Sequence, residues 1–111
     1  MITVINGTNR KGNLTQIFAK AAFEILKSKS DEEVKYLDLS DLTGEILHTS
    51  MYGGDSQSPQ IIKIQDEFIS PASKLVFVMP EYNGSYPGII KLFLDTISVR
   101  NYAATLSLIH I

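Results

Sequence analysis

Pro80–Asp95 reads PEYNGSYPGIIKLFLD, and the fold follows from what bounds that stretch. The apolar run Leu75–Met79 precedes it, and Pro80, Gly84, Pro87 and Gly88 break the chain before a helical pattern begins. A buried strand feeding a Gly/Pro loop and then a helix is how open α/β sheets build ligand sites, at the carboxyl ends of their strands. This loop also carries an acid, two tyrosines and an asparagine. A plain surface turn needs Gly, Pro or Asn but has no use for aromatics. These residue types suit holding something flat.

Upstream, Ile2–Asn6 (ITVIN) is a short β-branched run closed by Asn6-Gly7, which predicts a first strand. The polar, turn-rich Gly7–Thr15 (GTNRKGNLT) follows. From Leu14 the pattern turns helical, with Phe18, Ala21, Ala22, Ile25 and Leu26 as its apolar positions at three- and four-residue spacing. Asn13 or Thr15 supplies the cap, and Lys27 and Lys29 suit the C-terminal dipole. Val34–Leu39 (VKYLDL) is a half-polar second strand that belongs at a sheet edge. Ser40–Ser58 is irregular and longer than a plain connector, which marks a lid or binding loop. Ser58-Pro59 reads as N-cap and first position of a second helix, with Ile61, Ile62, Gln65, Phe68 and Ile69 on one side and Pro71 as its stop. Lys74–Met79 is apolar on both faces and so central in the sheet. The last helix runs from Pro87 to about Val99, and Ile89, Ile90, Leu92, Phe93, Leu94 and Ile97 cover more than one of its faces. That surplus either buries against a second subunit or packs on further parts of the same chain.

The order β-α-β-α-β-α, with strands too apolar for one-sided burial, gives an α/β fold with a parallel sheet and right-handed crossovers. In that topology the loops after strands one and three meet at one edge. Gly7–Thr15 and Pro80–Pro87 are therefore expected to form one site.

The 111 residues suffice for one domain with a core. A hydrophobic share of 44% and a charged share of 20% are those of an ordinary globular chain. A net charge of −2 provides no broad field for nucleic acid or acidic membranes. The absence of Cys excludes disulfides, thiolate metal sites and a Cys nucleophile, and fits the reducing cytoplasm expected for the protein. No charged-then-apolar leader opens the chain, and no apolar run approaches a membrane span.

The first loop has the makings of an anion cradle. It sits between a strand and a helix N-terminus, where backbone N–H groups and the positive dipole end favour phosphate. Thr8, Thr15 and the Asn13 amide can donate, and Arg10 can fork two phosphate oxygens. A helix dipole contributes about 0.3–1 kcal/mol per charge, so the hydrogen bonds must dominate. The same residues also read as a well-capped connector with a solvated Arg-Lys pair. No Gly-Lys-Ser/Thr triplet and no GxGxxG is present, which points away from a nucleotide triphosphate. In the second loop Tyr82 can lie against a ring, Asn83 can bond its polar edge and Gly84 admits close backbone approach. Alternatively Tyr82 and Tyr86 are partly buried loop aromatics and Glu81 a solvated acid.

GTNRKGNLT after strand one and PEYNGSYPGIIKLFLD after strand three resemble the two signatures of the NADPH-dependent FMN reductase family, of flavodoxin-like fold. The resemblance covers Ile2 to about Thr105, and its second motif is the specific one. Asn13 departs from relatives that often carry Ser there. By position the resemblance implies that Thr8, Arg10, Asn13, Leu14 and Thr15 surround the FMN phosphate. Pro80, Glu81, Tyr82, Asn83 and Gly84 would line the ribityl chain and isoalloxazine. It implies hydride transfer from NADPH or NADH through FMN to a small acceptor such as a quinone, azo compound, metal ion or second flavin, with no catalytic side-chain set. It also implies a homodimer formed through the last helix. The competing readings are a flavodoxin-type electron carrier and a flavin-free interaction domain.

The fold so implied is a three-layer flavodoxin-like α/β sheet with strand order 2-1-3, strands 4 and 5 missing. Residues 1–105 are read as the N-terminal part of an FMN-binding domain. Leu106–Ile111 (LSLIHI) departs from the family pattern, resembles translated adapter read-through, and is set aside as a non-native tail. On this reading strand three keeps a bare apolar edge and the chain carries half a site, binding FMN weakly or not at all. Among the remaining residues, His48 and His110 are read as solvated, Asp38, Asp41 and Glu45 as a solvated acidic loop, and Tyr52 as either a flavin cover or a packing residue. Lys91 and Asp95 form a helix-face pair worth about 0.2–0.5 kcal/mol.

Overall fold

The computed structural model describes residues 1–42, 44–52, 56–97 and 107–110, giving only the backbone for Glu45 and for 107–110. Strand β1 (Ile2–Asn6) leads through the cradle loop to helix α1 (Thr15–Lys29), strand β2 (Val34–Asp38) and two single 3-10 turns, Leu39–Asp41 and Gly44–Ile46. Helix α2 (Pro59–Ile64) runs on as a π-helical turn over Gln65–Ile69, followed by β3 (Lys74–Val78), α3 (Gly88–Ile97) and β4 (Ser107–His110). All pairings are parallel and the sheet order is β2-β1-β3-β4, with Ile2 opposite both Val34 and Lys74. The order 2-1-3 and the edge position of β2 are those read from the sequence.

The bare edge expected on β3 is covered. Ser107–His110, set aside in the sequence reading, lies parallel to β3 with Lys74 opposite Ser107. An open edge of unpaired N–H and C=O groups accepts any β-prone segment within reach, and SLIH is one.

Side-chain alternation along the strands separates two cores. On one face Ile2, Val4, Val76 and Val78 meet α1. On the other, Ile5, Leu37, Leu75 and Phe77 meet α2, α3 and the loop between β2 and α2. The register of α1 differs from the expected one. Ala19 is fully buried, with Ala22, Phe23 and Leu26 packed beside it, whereas Phe18 and Ile25 are 68% and 56% exposed. The helix is apolar over two adjoining faces, so spacing alone allows either to turn inward. The methyl of Ala19 lets the helix lie close on the sheet, where the ring of Phe18 would hold it off.

α3 resolves its surplus the other way. Ile90, Phe93 and Ile97 are buried, and Ile89, Leu92 and Leu94 pack on the same core, so the surplus is used within the chain. Val99, the expected end of that helix, lies outside the described residues. Ser58 caps α2 through Ile61 N–H (3.3 Å) with Pro59 at the first position, as read. The long loop is clamped rather than free along part of its course. Buried Gln57 donates to Met51 O (2.9 Å) and Thr96 O (2.6 Å) and accepts from Gln65 Nε2 (2.9 Å), which ties the loop to α2 and α3.

Candidate functional site

The loops after β1 and β3 meet at the carboxyl edge of the sheet, as the topology requires. Gly7 N–H donates to Val78 O (2.8 Å), which binds the two strand ends together. A Cβ on Gly7 would lie 2.6 Å from Ile90 Cδ1 and 3.0 Å from Met79 Cβ, so a larger residue there would push the Ile90 side chain at the start of α3 aside. Above this junction opens a cavity of about 520 Å³ lined by Arg10, Lys11, Gly12, Asn13, Leu14, Thr15, Pro80 and Tyr82.

The cradle is shaped by its side chains. Thr8, with no exposed surface, accepts from Arg10 N–H (3.2 Å) and shares a 2.8 Å hydrogen bond with the Tyr82 hydroxyl. Asn13 spans the loop: its Nδ2 donates to Arg10 O (2.8 Å) and its Oδ1 accepts from Gln16 N–H (3.0 Å). Asn13 is therefore the helix cap that the sequence left open between Asn13 and Thr15. It braces the loop with the amide expected to donate to phosphate. Between those anchor points the N–H groups of Lys11, Gly12, Leu14 and Thr15 take no partner among the described residues. These backbone donors at a helix start, two cations and the Thr15 hydroxyl are a donor set for a doubly charged phosphate.

The second loop is shaped by its backbone. Tyr82 and Ser85 exchange N–H to carbonyl bonds at 2.9 and 3.1 Å around Asn83 and Gly84, whose φ angles are 54° and 80°. Two positive φ angles in a two-residue hairpin define a type I′ turn, for which Asn-Gly is the favoured pair. The Glu81 carboxylate accepts from Gly84 N–H and closes the arm.

Of the ten residues singled out from the sequence, Arg10, Asn13, Leu14, Thr15, Pro80 and Tyr82 line the cavity, and Thr8 lies beneath it. Glu81, Asn83 and Gly84 build the hairpin and are not part of the wall. Gly84 serves the turn, since a Cβ there meets nothing. Lys11 and Gly12 line the cavity and were missed, although both lie inside the quoted loop motif.

Asp38 was also misread. It is no solvated acid: its Oδ1 accepts from Ser40 N–H (2.9 Å), Ser40 Oγ (2.7 Å) and buried Asn6 Nδ2 (3.0 Å), and its Oδ2 accepts from the Tyr36 hydroxyl (3.4 Å). Burial, with the Asp38 charge adding to it, pushes the Tyr36 phenol up to about 12. Asn6 and Asp38 stand opposite each other at the ends of adjacent strands, a pairing set by register and not legible in the local sequence. Asn6 Nδ2 reaches Asn13 Oδ1 as well (3.3 Å), while Asn6 Oδ1 has no partner. Such an orphaned buried acceptor costs about 1–3 kcal/mol.

Other residues fall away from the site. Tyr52 is 53% exposed and is not in the cavity wall. His48 Nδ1 accepts from Ser50 N–H (3.2 Å), and no group of metal-binding side chains occurs among the described residues. The side chains of Glu45 and His110 lie outside the description. Lys91 and Asp95 do pair, at 2.8 Å, and the carboxylate holds the Lys91 ammonium above its usual range.

The family profile described as NADPH-dependent FMN reductase matches residues 1–107. A 2-hydroxy-1,4-benzoquinone reductase of Burkholderia sp is 32% identical over 94 residues, covering 85% of this chain and 48% of that protein. An FMN-dependent NADH:quinone oxidoreductase of Staphylococcus aureus (strain JH9) is 30% identical over 83 residues, covering 62% of this chain and 39% of that protein. Among solved structures, an apo-form NADH:FMN oxidoreductase superposes with a TM-score of 0.69 at 25% identity, over 86% of this chain and 49% of that one. The chain thus spans about half or less of the length of these relatives.

Proposed function

The chain belongs to the NADPH-dependent FMN reductase family, and from that membership we propose that the protein is an FMN-dependent NAD(P)H oxidoreductase acting on a small acceptor of the quinone, azo, metal-ion or flavin type. The observation that carries the reading is the meeting of the cradle and the Tyr82 arm around one cavity, on the two motifs that define the resemblance. The relatives named for quinone reduction favour a quinone among those acceptors.

The donor set suits the FMN phosphate: Arg10, Lys11, the Thr15 hydroxyl and the backbone from Lys11 to Thr15 would hold it, with Leu14 at the rim. Thr8 and Asn13 keep that backbone in shape. Pro80 and Tyr82 would face the ribityl chain and rings, with Glu81, Asn83 and Gly84 holding the arm that presents them. Bound FMN would supply the chemistry, taking hydride from the nicotinamide and passing electrons to the acceptor. The protein's part is to bind, orient and exclude water, so no side chain is assigned a catalytic role.

Several further features belong to this reading. NADPH is the donor named by the family, with NADH as the alternative named by relatives. Residues 1–105 are the N-terminal part of the FMN-binding domain, and 106–111 a non-native tail, of which Ser107–His110 pairs with β3 because the edge accepts it. The whole protein is a cytoplasmic homodimer. No helix among the described residues is long and apolar enough to cross a membrane. No observation favours the carrier.

The test is a fluorescence titration of the purified chain with FMN and with riboflavin, followed by anaerobic addition of NADPH or NADH. The expected outcome is FMN bound weakly, as half a site allows, but more tightly than riboflavin, with bleaching of its absorbance by at least one nucleotide. Tight FMN binding with no bleaching by either would replace the reductase with the carrier. Equal weak binding of both flavins would withdraw the site from this chain.

A further inference from the structure

We propose that Asn6 is a positioning residue of the cradle, holding Asn13 so that the backbone between Arg10 and Gln16 keeps its donors free for phosphate. The inference rests on the phosphate reading of the cavity given above. It begins from an oddity in β1. Ile2, Val4 and Asn6 share the α1 face of the sheet, yet the third of these is a fully buried amide whose Oδ1 finds no donor.

Turning the amide over would not cure this. Nδ2 faces two acceptors, Asp38 Oδ1 at 3.0 Å and Asn13 Oδ1 at 3.3 Å. A flipped Asn6 would set oxygen against both. Asp38 is itself fixed by Ser40 N–H, Ser40 Oγ and the Tyr36 hydroxyl, so it dictates which way Asn6 points. An apolar side chain in the same space would keep the backbone hydrogen bonds of the strand and remove the orphaned acceptor, at the loss of the Nδ2 bonds to Asp38 and Asn13. Gain and loss are of similar size, so the stability of the sheet alone does not call for Asn6.

What Asn6 gives in return is a relay. Asp38 orients Asn6, Asn6 donates to Asn13, and Asn13 grips the carbonyl of Arg10 at one end of the loop and the N–H of Gln16 at the other. Only side chains carry this chain of contacts. The main-chain donors of Lys11, Gly12, Leu14 and Thr15 therefore stay out of it. A loop shaped by its own backbone bonds would have consumed them. Polar groups that break the local packing rule and act through a neighbour are what preorganised sites need.

The experiment compares the 111-residue chain with Asn6→Leu, Asn6→Ala, Asn13→Ala and the Asn6→Ala/Asn13→Ala pair. It uses FMN and riboflavin titrations, urea unfolding, and hydrogen exchange at the Gln16 amide. Asn6→Leu is expected to leave the urea midpoint unchanged or raised. It should weaken FMN by roughly ten-fold, the equivalent of about one hydrogen bond, with riboflavin unmoved and Gln16 exchanging faster. The double variant should be no worse for FMN than Asn13→Ala alone, because both remove one relay. If the parent holds FMN no more tightly than riboflavin, the phosphate reading fails and takes the proposal with it. If the parent discriminates but the Asn6 variants keep its ratio, or lose both flavins equally, Asn6 is a structural residue only. Asn6→Ala serves where leucine fails to fold, since it removes the amide without adding bulk.

Discussion

The two loops at the carboxyl edge of the sheet reach order by opposite means. The Gly7–Leu14 loop is held largely by side chains, with Thr8 and Asn13 bonding the backbone at Arg10 and Gln16, and the N–H groups of Lys11, Gly12 and Leu14 take no partner among the described residues. The Pro80–Pro87 loop is held by its backbone, in a type I′ turn with reciprocal Tyr82–Ser85 bonds, and its aromatic side chains are left to face outward or inward. On the proposed reading, the difference follows from what each must offer. An anion is bound by N–H groups, so those groups cannot also define the loop. A flat ring is bound by side-chain faces and edges, so the turn must be made without them.

Thr8→Val is the most direct way to break this contrast, and it carries the largest expected effect. Valine matches threonine in shape but drops the hydroxyl that receives Arg10 N–H and bonds the Tyr82 hydroxyl. Both partners lose a bond in a part-buried setting, for about 1–3 kcal/mol of stability. Urea unfolding should register that loss, and Tyr82→Phe, which removes only the shared bond, should show less of it. Equal losses in the two variants would mean that Thr8 does not shape the cradle.

Gly84→Ala tests the other loop. The φ of 80° places this residue in the left-handed region, and a Cβ would touch nothing. The penalty is then purely conformational, about 1 kcal/mol. Asn83→Gly should lose nothing comparable, because glycine accepts a positive φ freely. The urea midpoint of each variant checks this. A Gly84→Ala chain as stable as the parent would show that the turn relaxes and that the arm is not fixed by its backbone.

What could be read beforehand divides along the same line. The parallel sheet and the meeting of the two loops follow from hydrophobic runs and glycine punctuation, which are local signals, whereas the strand order rests on the family resemblance carried by the two loop motifs. The Asn-Gly pair at 83–84 was visible, but its job was not. A glycine permits both a tight turn and a close ligand, and only the φ angle separates them. The roles of Asn6 and Asp38 were hidden because they arise from strand register, across residues far apart in sequence. The face of α1 was ambiguous because Phe18 and Ile25 stand beside Ala19 and Ala22 on an apolar helix, and sequence spacing does not say which face fits the sheet.

The opposite edge of the sheet uses neither device, and Glu32→Gln there should have the smallest effect. The exposed Glu32 carboxylate accepts from Lys74 Nζ, the Met1 amino group and Ser73 Oγ, each at 3.1 Å, and joins the starts of β1 and β3. The lysine bond first, then those from the amino group and the serine, hold its pKa at about 2 against an ordinary 4.5. A pKa lowered by folding means that the ionised group stabilises the fold in full above about 4.5, and that this contribution fades as pH falls towards 2. The melting temperatures of parent and Glu32→Gln should therefore differ most near neutrality and converge between pH 4.5 and 2. Exposed ion pairs are weak and screened, so the gap should be small and should shrink in salt. The ratio of FMN to riboflavin affinity should not move. A change in that ratio would mean that the two ends of the sheet are coupled and that the cradle is not braced locally.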